Sequence, residues 1–255
     1  MKIIAGPCVH EDYYLSKDIA NHCQKVCDRY GVDYYFKASF DKANRSNFNS
    51  YRGEGLGAYL NDMQGIDSKK VTDVHEAWQI GEVKSIVDVI QIPAFLCRQT
   101  DLIVEACKTD CIVNIKKGQF LAPWDIKNII SKCNDARDVW ITERGTSFGY
   151  NRLVVDYTGL VYLLRNYGNS IIFDATHSVQ RPGGSGDTTD GDSSFVPSLL
   201  YAAASVGVES FFLEVHPIPE KSPSDGANML PLKDFENIVY NLAKINTLQL
   251  TNNMI

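Results

Sequence analysis

Eight short apolar runs recur along the chain, and a segment with helical periodicity follows each of them. The runs are rich in Val, Ile, Phe and Tyr, and they are mostly continuous instead of alternating with polar residues. Such runs are typical of parallel strands whose two faces are both covered. They cover residues 2–5, 33–40, 70–75, 87–94, 111–116, 138–142, 170–175 and 209–215.

The segments between these runs have the spacing of amphipathic helices. Between the first two runs, Leu15, Ile19, Cys23, Val26 and Tyr30 are three or four positions apart, which places them on one helix face. Further helices are predicted over 55–64, 76–87, 100–108, 123–133, 151–167, 195–206 and 232–245. The helix over 123–133 starts at a proline, a residue that suits the first helical position.

Eight strand–helix units in a chain of 255 residues fit a closed (β/α)8 TIM barrel better than an open doubly wound sheet. The first turn has no GxGxxG sequence, which a dinucleotide-binding fold would need there. We therefore predict one catalytic domain over residues 1–255. In such barrels the working face lies at the C-terminal ends of the strands.

Net charge, apolar runs and cysteine spacing indicate which partners and which cellular compartment to expect. The net charge of −6 gives no reason to expect nucleic acid or an anionic membrane as a partner. No apolar run is long enough to span a bilayer, and residues 1–7 lack the apolar core of a signal peptide. The seven cysteines form no CxxC pair, so we expect reduced thiols in a cytoplasmic protein.

Positively charged residues gather at the predicted strand ends despite the acidic composition. They are Lys37, Lys42, Arg45, Arg98, Lys116 and Arg144. Beside the hydroxyl and amide groups of residues 39–46, these cations suit a sugar phosphate or a carboxylate. Two anionic groups bound together would balance so many charges. The alternative interpretation is that several of them point into solvent.

Two other groups of residues are candidates for chemistry. Cys8, His177, Glu214 and Asp225 follow strands 1, 7 and 8, which are neighbours in a closed barrel. A thiolate, an imidazole and two carboxylates suit zinc, iron, cobalt or manganese better than calcium or magnesium. The glycine-rich loop over 180–187 could be a lid that excludes water, or an ordinary flexible loop.

Seven segments together resemble the 3-deoxy-D-manno-octulosonate 8-phosphate synthase family, which condenses phosphoenolpyruvate with arabinose 5-phosphate for the lipopolysaccharide sugar. They are IAGPC at 4–8, KASFDKANRS at 37–46, QIPAFLCRQTDL at 91–102, NIKKGQF at 114–120, TERG at 142–145, FDATHS at 173–178 and SDG at 224–226. The related synthase that uses erythrose 4-phosphate has a KPRT-type sequence where this chain has KANRS, so the five-carbon aldose is favoured.

The resemblance implies roles for individual residues. Lys37, Lys42, Gln91, Lys116, Arg144 and the backbone at Ala94 would hold phosphoenolpyruvate, while Ser39, Asn44, Arg45, Ser46 and Asp73 would contact the substrates, chiefly the aldose phosphate and its hydroxyls. Catalytic roles would fall to Lys37, Lys42, Asn44, Lys116 and His177. Arg98 would reach the aldose phosphate from a neighbouring subunit of a homotetramer.

The family has metal-dependent and metal-independent forms, with cysteine and asparagine respectively in the first-strand motif. Cys8 therefore indicates the metal-dependent form, with His177, Glu214 and Asp225 as the other ligands of a divalent ion. Two other interpretations remain: an aldolase that forms a Schiff base on Lys37 or Lys116, and a sugar-phosphate-binding protein without catalysis.

Overall fold

The computed structural model describes residues 1–45, 47–183 and 190–252, the last four through their backbone alone. Eight parallel strands form its centre, each paired with the next, and the eighth pairs with the first to close a barrel. This confirms the predicted (β/α)8 fold. The strands are β1 (Lys2–Gly6), β2 (Asp33–Lys37), β3 (Lys69–Asp73), β4 (Val89–Ile92), β5 (Ile112–Lys116), β6 (Val139–Glu143), β7 (Ile171–Asp174) and β8 (Ser210–His216).

Helices follow the strands and cover the outside of the barrel. They are α1 (Tyr13–Arg29), α2 (Leu56–Met63), α3 (Ala77–Val83), α4 (Thr100–Cys107), α5 (Ile126–Ile130), α6 (Tyr157–Tyr167), the one-turn α7 (Ala175–Ser178), α8 (Val196–Ser205) and α9 (Phe235–Asn252). Among the described residues, no helix has the length and apolar character needed to cross a membrane.

Some predicted boundaries were wrong for identifiable reasons. The helix predicted from residue 151 begins only at Tyr157, because Leu153–Val154 pairs in antiparallel fashion with Thr146–Ser147. Asp156 then caps the helix by accepting a hydrogen bond from the Thr158 amide. Strand β2 ends at Lys37, three residues before the predicted end at 40, because the chain leaves the sheet and makes only an isolated bridge at Ser39.

The strands are mostly apolar because alternate residues enter two separate cores. Ile4, Tyr35 and Trp140 belong to the small cluster that fills the barrel. Ile3 and Ala5 belong to the larger cluster between the strands and the surrounding helices. A strand buried on both faces has no polar position before its end, which explains the continuous runs in the sequence.

Gly6 allows β1 and β2 to approach each other at the mouth of the barrel. A Cβ atom at this position would lie 2.0 Å from the carbonyl oxygen of Lys37. We therefore expect Gly6→Ala to lower the free energy of unfolding by about 3 kcal/mol, since the strands must separate. Urea denaturation measures this effect. Gly81→Ala in α3, where an added Cβ meets nothing within 4 Å, is the control, and equal midpoints for the two variants would contradict the expectation.

Candidate active site

The C-terminal ends of the strands surround a cavity of about 450 Å³. Seven successive strands, or the residues just after them, supply its wall through Lys37, Asp73, Gln91, Lys116, Arg144, His177 and Glu214. The loop after β2 adds Lys42, Asn44 and Arg45, and the loop after β8 adds residues 222–227. The strand ends that the sequence identified as candidates therefore converge on one space.

Asp73 holds the buried Lys37 side chain at one side of this cavity. The Lys37 Nζ atom lies 3.1 Å from Asp73 Oδ1 and donates to the Ser39 hydroxyl oxygen at 2.6 Å. The Ser39 hydroxyl in turn donates to Asp73, and His75 Nε2 lies 3.2 Å from the other Asp73 oxygen. Burial alone would raise the pKa of Asp73, but Lys37 and the other nearby cations hold it well below its usual value.

Asp174 holds a second lysine on the opposite side of the barrel. It accepts a hydrogen bond from Lys116, whose Nζ atom also lies 3.2 Å from the centre of the Phe212 ring. Burial lowers the pKa of Lys116 to about 8, against the opposing attraction of Asp174. The ammonium form of Lys116 therefore predominates at neutral pH.

Lys42 and Arg144 complete the positive wall. Burial alone would lower the pKa of Lys42, but the surrounding acidic groups raise it above its ordinary value. Arg144 donates to the side-chain oxygen of Gln180, while its Nε atom is buried without a hydrogen-bond partner among the described residues. Buried cations with unused donors favour an anionic ligand in the cavity.

Three of the four predicted metal ligands come together beside these cations. The candidate ligand atoms of Cys8, Glu214 and Asp225 all lie within 4.8 Å of one another. The Cys8 Sγ atom lies 3.3 Å from an Asp225 oxygen, and burial raises the pKa of the Cys8 thiol. His177, the fourth, is outside this group, although its Nε2 atom lies 3.6 Å from Glu214 Oε1.

Glu214 is the most unusual member of this cluster. Its side chain is 1% exposed, yet neither carboxylate oxygen has a hydrogen-bond partner in the described part of the chain. A buried carboxylate without hydrogen bonds is costly unless a cation compensates it. The cluster therefore has the chemistry of a site that holds a positive ion.

Several predicted residues occupy other positions. Ser39 is fully buried behind Lys37 and is absent from the cavity wall that the described residues form. Arg98 is exposed and also lies outside that wall. Ala94 lines the cavity. Ser46 falls outside the described residues, as do residues 184–189 of the predicted lid, although Gln180 at its start lines the cavity.

Some wall residues had no signal in the sequence. Phe212 lies inside the apolar run of β8 and was indistinguishable there from a core residue. Gln119 lines the cavity with a buried side-chain oxygen that has no partner among the described residues. Gln119 could have been suspected only from its position shortly after β5.

Comparison with known proteins identifies the family of this chain. Residues 1–250 match the model of the DAHP synthetase I family. A 2-dehydro-3-deoxyphosphooctonate aldolase of Fusobacterium nucleatum is 52% identical over 243 residues, which are 93% of this chain and 87% of that protein. Proteins of the same name from Cyanothece sp. and Nitrobacter winogradskyi are 46% and 49% identical, over 96% and 97% of this chain and 92% and 88% of their own lengths. The chain therefore belongs to the DAHP synthetase I family, and within it to the relatives named 2-dehydro-3-deoxyphosphooctonate aldolase.

Proposed function

We propose that this protein condenses phosphoenolpyruvate with arabinose 5-phosphate and water, forming 3-deoxy-D-manno-octulosonate 8-phosphate and inorganic phosphate. The observation that supports this most strongly is the convergence of Lys37, Lys42, Lys116 and Arg144 on one cavity. The name of the relatives supports the carbon count, because an octonate requires three carbons from phosphoenolpyruvate and five from the aldose. The product would enter lipopolysaccharide synthesis.

In this reaction the C3 carbon of phosphoenolpyruvate attacks the aldehyde carbon of the aldose, and water adds at C2. The bond between C2 and the oxygen atom of the phosphate group then breaks, and inorganic phosphate leaves. Two anionic substrates repel each other. The cationic side chains that line the cavity contribute by holding both substrates in the reactive orientation and by offsetting that repulsion. Asn44 and Arg45, on the loop after β2, line the cavity and would receive the aldose phosphate.

Phosphate release from phosphoenolpyruvate tests this function directly. We expect release with arabinose 5-phosphate and much less with erythrose 4-phosphate. Preferential use of erythrose 4-phosphate would support the related synthase instead. Tight binding of phosphoenolpyruvate with no release in the presence of either aldose would support the non-catalytic binding protein.

A lysine Schiff base is the remaining alternative for this cavity. Both candidate lysines are held by carboxylates, Lys37 by Asp73 and Lys116 by Asp174. The amine nitrogen of each lysine is therefore engaged by a carboxylate, an arrangement that does not favour nucleophilic attack on a carbonyl carbon. Borohydride treatment in the presence of substrate is expected to leave both lysines unmodified, whereas a trapped adduct would overturn this part of the proposal.

The activity is expected to fall at alkaline pH. Lys116 must be an ammonium ion to attract phosphoenolpyruvate, and its pKa is about 8. Since kcat/KM reports ionisation of the free enzyme, we expect kcat/KM for phosphoenolpyruvate to fall about tenfold per pH unit above that value. Lys116→Arg, which stays charged, should shift this decline to higher pH. A profile that is flat to pH 9.5, or one that Lys116→Arg does not move, would contradict the assignment.

We propose that Cys8, His177, Glu214 and Asp225 hold a divalent ion of the zinc, iron, manganese or cobalt class. The three clustered ligand atoms and the unpartnered oxygens of Glu214 support this proposal. When bound, the metal would orient the aldehyde or activate the attacking water. Chelation is expected to abolish phosphate release, and added divalent metal to restore it. Activity that survives complete metal removal would leave the synthase reaction in place and refute the metal requirement.

We also propose that the protein assembles as a homotetramer in which Arg98 serves a neighbouring subunit. The exposed position of Arg98 outside its own cavity supports this arrangement. Phe95, Phe120 and Phe148, on the loops after β4, β5 and β6, expose large aromatic surfaces that a second copy could cover. Sedimentation velocity should give the mass of four chains, and a monomer at micromolar concentration would contradict this proposal.

A cytoplasmic location is the remaining part of the proposal. All seven cysteines lie in the described part of the chain, and each is a free, buried thiol. Free thiols are usual in a reducing compartment. Fractionation of cells that express the protein tests this location.

A further inference from the structure

We propose that Asp174 is a positioning residue that holds the Lys116 ammonium and the His177 ring through one shared carboxylate oxygen. The inference rests on the proposed function, because it concerns how that site is kept in order. Asp174 ends β7 and is fully buried. Its Oδ2 atom lies 2.6 Å from His177 Nδ1 and also accepts the hydrogen bond from Lys116.

The contact with Asp174 decides which nitrogen of His177 is free. The Asp174 Oδ2 atom accepts a hydrogen bond from the Lys116 ammonium, a group that can only donate. The same oxygen therefore acts as the acceptor for His177, and His177 Nδ1 bears the proton. The Nε2 atom then has no proton, so its lone pair is available to bind a metal ion. It lies 3.6 Å from Glu214 Oε1. A histidine that binds a metal commonly uses a carboxylate in this way.

The same carboxylate fixes where the Lys116 ammonium points. One of its three protons is used by Asp174, and the Phe212 ring lies beneath the nitrogen. The remaining protons are available to an anion in the cavity. Phe212 also contacts the His177 ring, with ring centres 5.7 Å apart. Both side chains are therefore held between one carboxylate and one aromatic ring.

Capping of a helix does not explain Asp174. Its Oδ1 atom accepts from the His177 backbone amide at 2.9 Å, but α7 has only four residues, so little helix depends on that bond. Asp156 also caps a helix, the eleven-residue α6, and does so without lining the cavity. Since asparagine caps helices about as well as aspartate, Asp156→Asn is a matched control for the loss of the negative charge at a helix cap.

The test compares Asp174→Asn with Asp156→Asn and the wild type. Affinity for Mn²⁺ or Zn²⁺ is measured by competition with a chromophoric chelator, and kcat and KM are measured at saturating metal. We expect Asp174→Asn to lose about 10- to 100-fold in metal affinity, and about as much in kcat/KM for phosphoenolpyruvate. Asp156→Asn should stay within about twofold on both. Metal affinity and kcat/KM of Asp174→Asn within twofold of the wild type would overturn the inference.

Other outcomes separate this inference from the proposed function. A wild type that releases no phosphate refutes the synthase assignment, while the metal titration still tests Asp174. A wild type that takes up no metal overturns the His177 part of the inference. If Asp174→Asn does not fold, as judged by circular dichroism, Asp174→Glu is measured instead. That variant keeps the charge but displaces the shared oxygen, so unchanged metal affinity and kcat/KM would overturn the inference.

Discussion

Replacing Lys116 by methionine is expected to lower kcat/KM for phosphoenolpyruvate about 1,000-fold. The ammonium group lies on the cavity wall, is buried and is oriented by Asp174. Removing one prearranged group that stabilises developing negative charge costs about 10²- to 10³-fold in other enzymes. Here a full positive charge is lost at a buried position, so we expect the upper end of that range. Steady-state phosphate release at saturating aldose phosphate measures the effect.

The neighbouring Lys117 supplies the control for this experiment. It is also fully buried and forms an ion pair, with its Nζ atom 3.3 Å from Glu143 Oε2, but it does not line the cavity that the described residues enclose. Methionine at either position breaks a buried pair, so both variants should lose about 3 kcal/mol in the free energy of unfolding. Only Lys116→Met should lose more than about tenfold in activity per folded molecule. Equal losses of activity in the two variants would show that stability, not substrate contact, is responsible.

Replacing Cys8 by alanine is expected to weaken metal binding about 100-fold. Four-ligand zinc sites hold their ion with about 10–16 kcal/mol, so one ligand accounts for about 3 kcal/mol, or about two powers of ten. Burial raises the pKa of the Cys8 thiol, and a bound metal requires the thiolate. Metal affinity of the wild type should therefore rise with pH, and a calorimetric titration in buffers of different ionisation enthalpy should detect released protons.

Cys23→Ala is the matched control for the loss of a buried thiol. Cys23 is fully buried in α1, and burial raises the pKa of its thiol as it does for Cys8. It lies outside the cluster of metal-ligand candidates. The control should therefore keep its metal affinity even if it loses some stability. A Cys8→Ala protein that retains both metal and full activity would refute the ligand assignment.

The fold was predictable because burial on both faces leaves a strong signal. The eight strands lie within three residues of their predicted boundaries at each end, as with 209–215 against Ser210–His216. Helix starts were less predictable, because a short antiparallel pair such as Thr146–Ser147 with Leu153–Val154 depends on contacts between residues six to eight positions apart, not on periodicity. The end of β2 at Lys37 likewise depends on where the next strand stops pairing.

The site was predictable only in part. The rule that strand ends converge was enough to bring Cys8, Glu214 and Asp225 into one sector, since β1 and β8 are neighbours in a closed barrel. It could not distinguish Lys116, which faces the cavity, from the exposed Arg98. It also gave no role to Asp174, whose importance depends on hydrogen bonds to side chains on other elements.

The position of the Cys8, Glu214 and Asp225 cluster in the chain has a consequence for the order of folding. Cys8 contacts Asp225, 217 residues further along the sequence, and Gly6 is in register with Glu214 across the seam between β1 and β8. Contacts between such distant residues form late, because a long loop must first be closed. A nascent chain that has not yet emerged beyond residue 225 therefore lacks part of the cluster. If the proposed metal binds at this cluster, its uptake during refolding would report when β1 and β8 have paired.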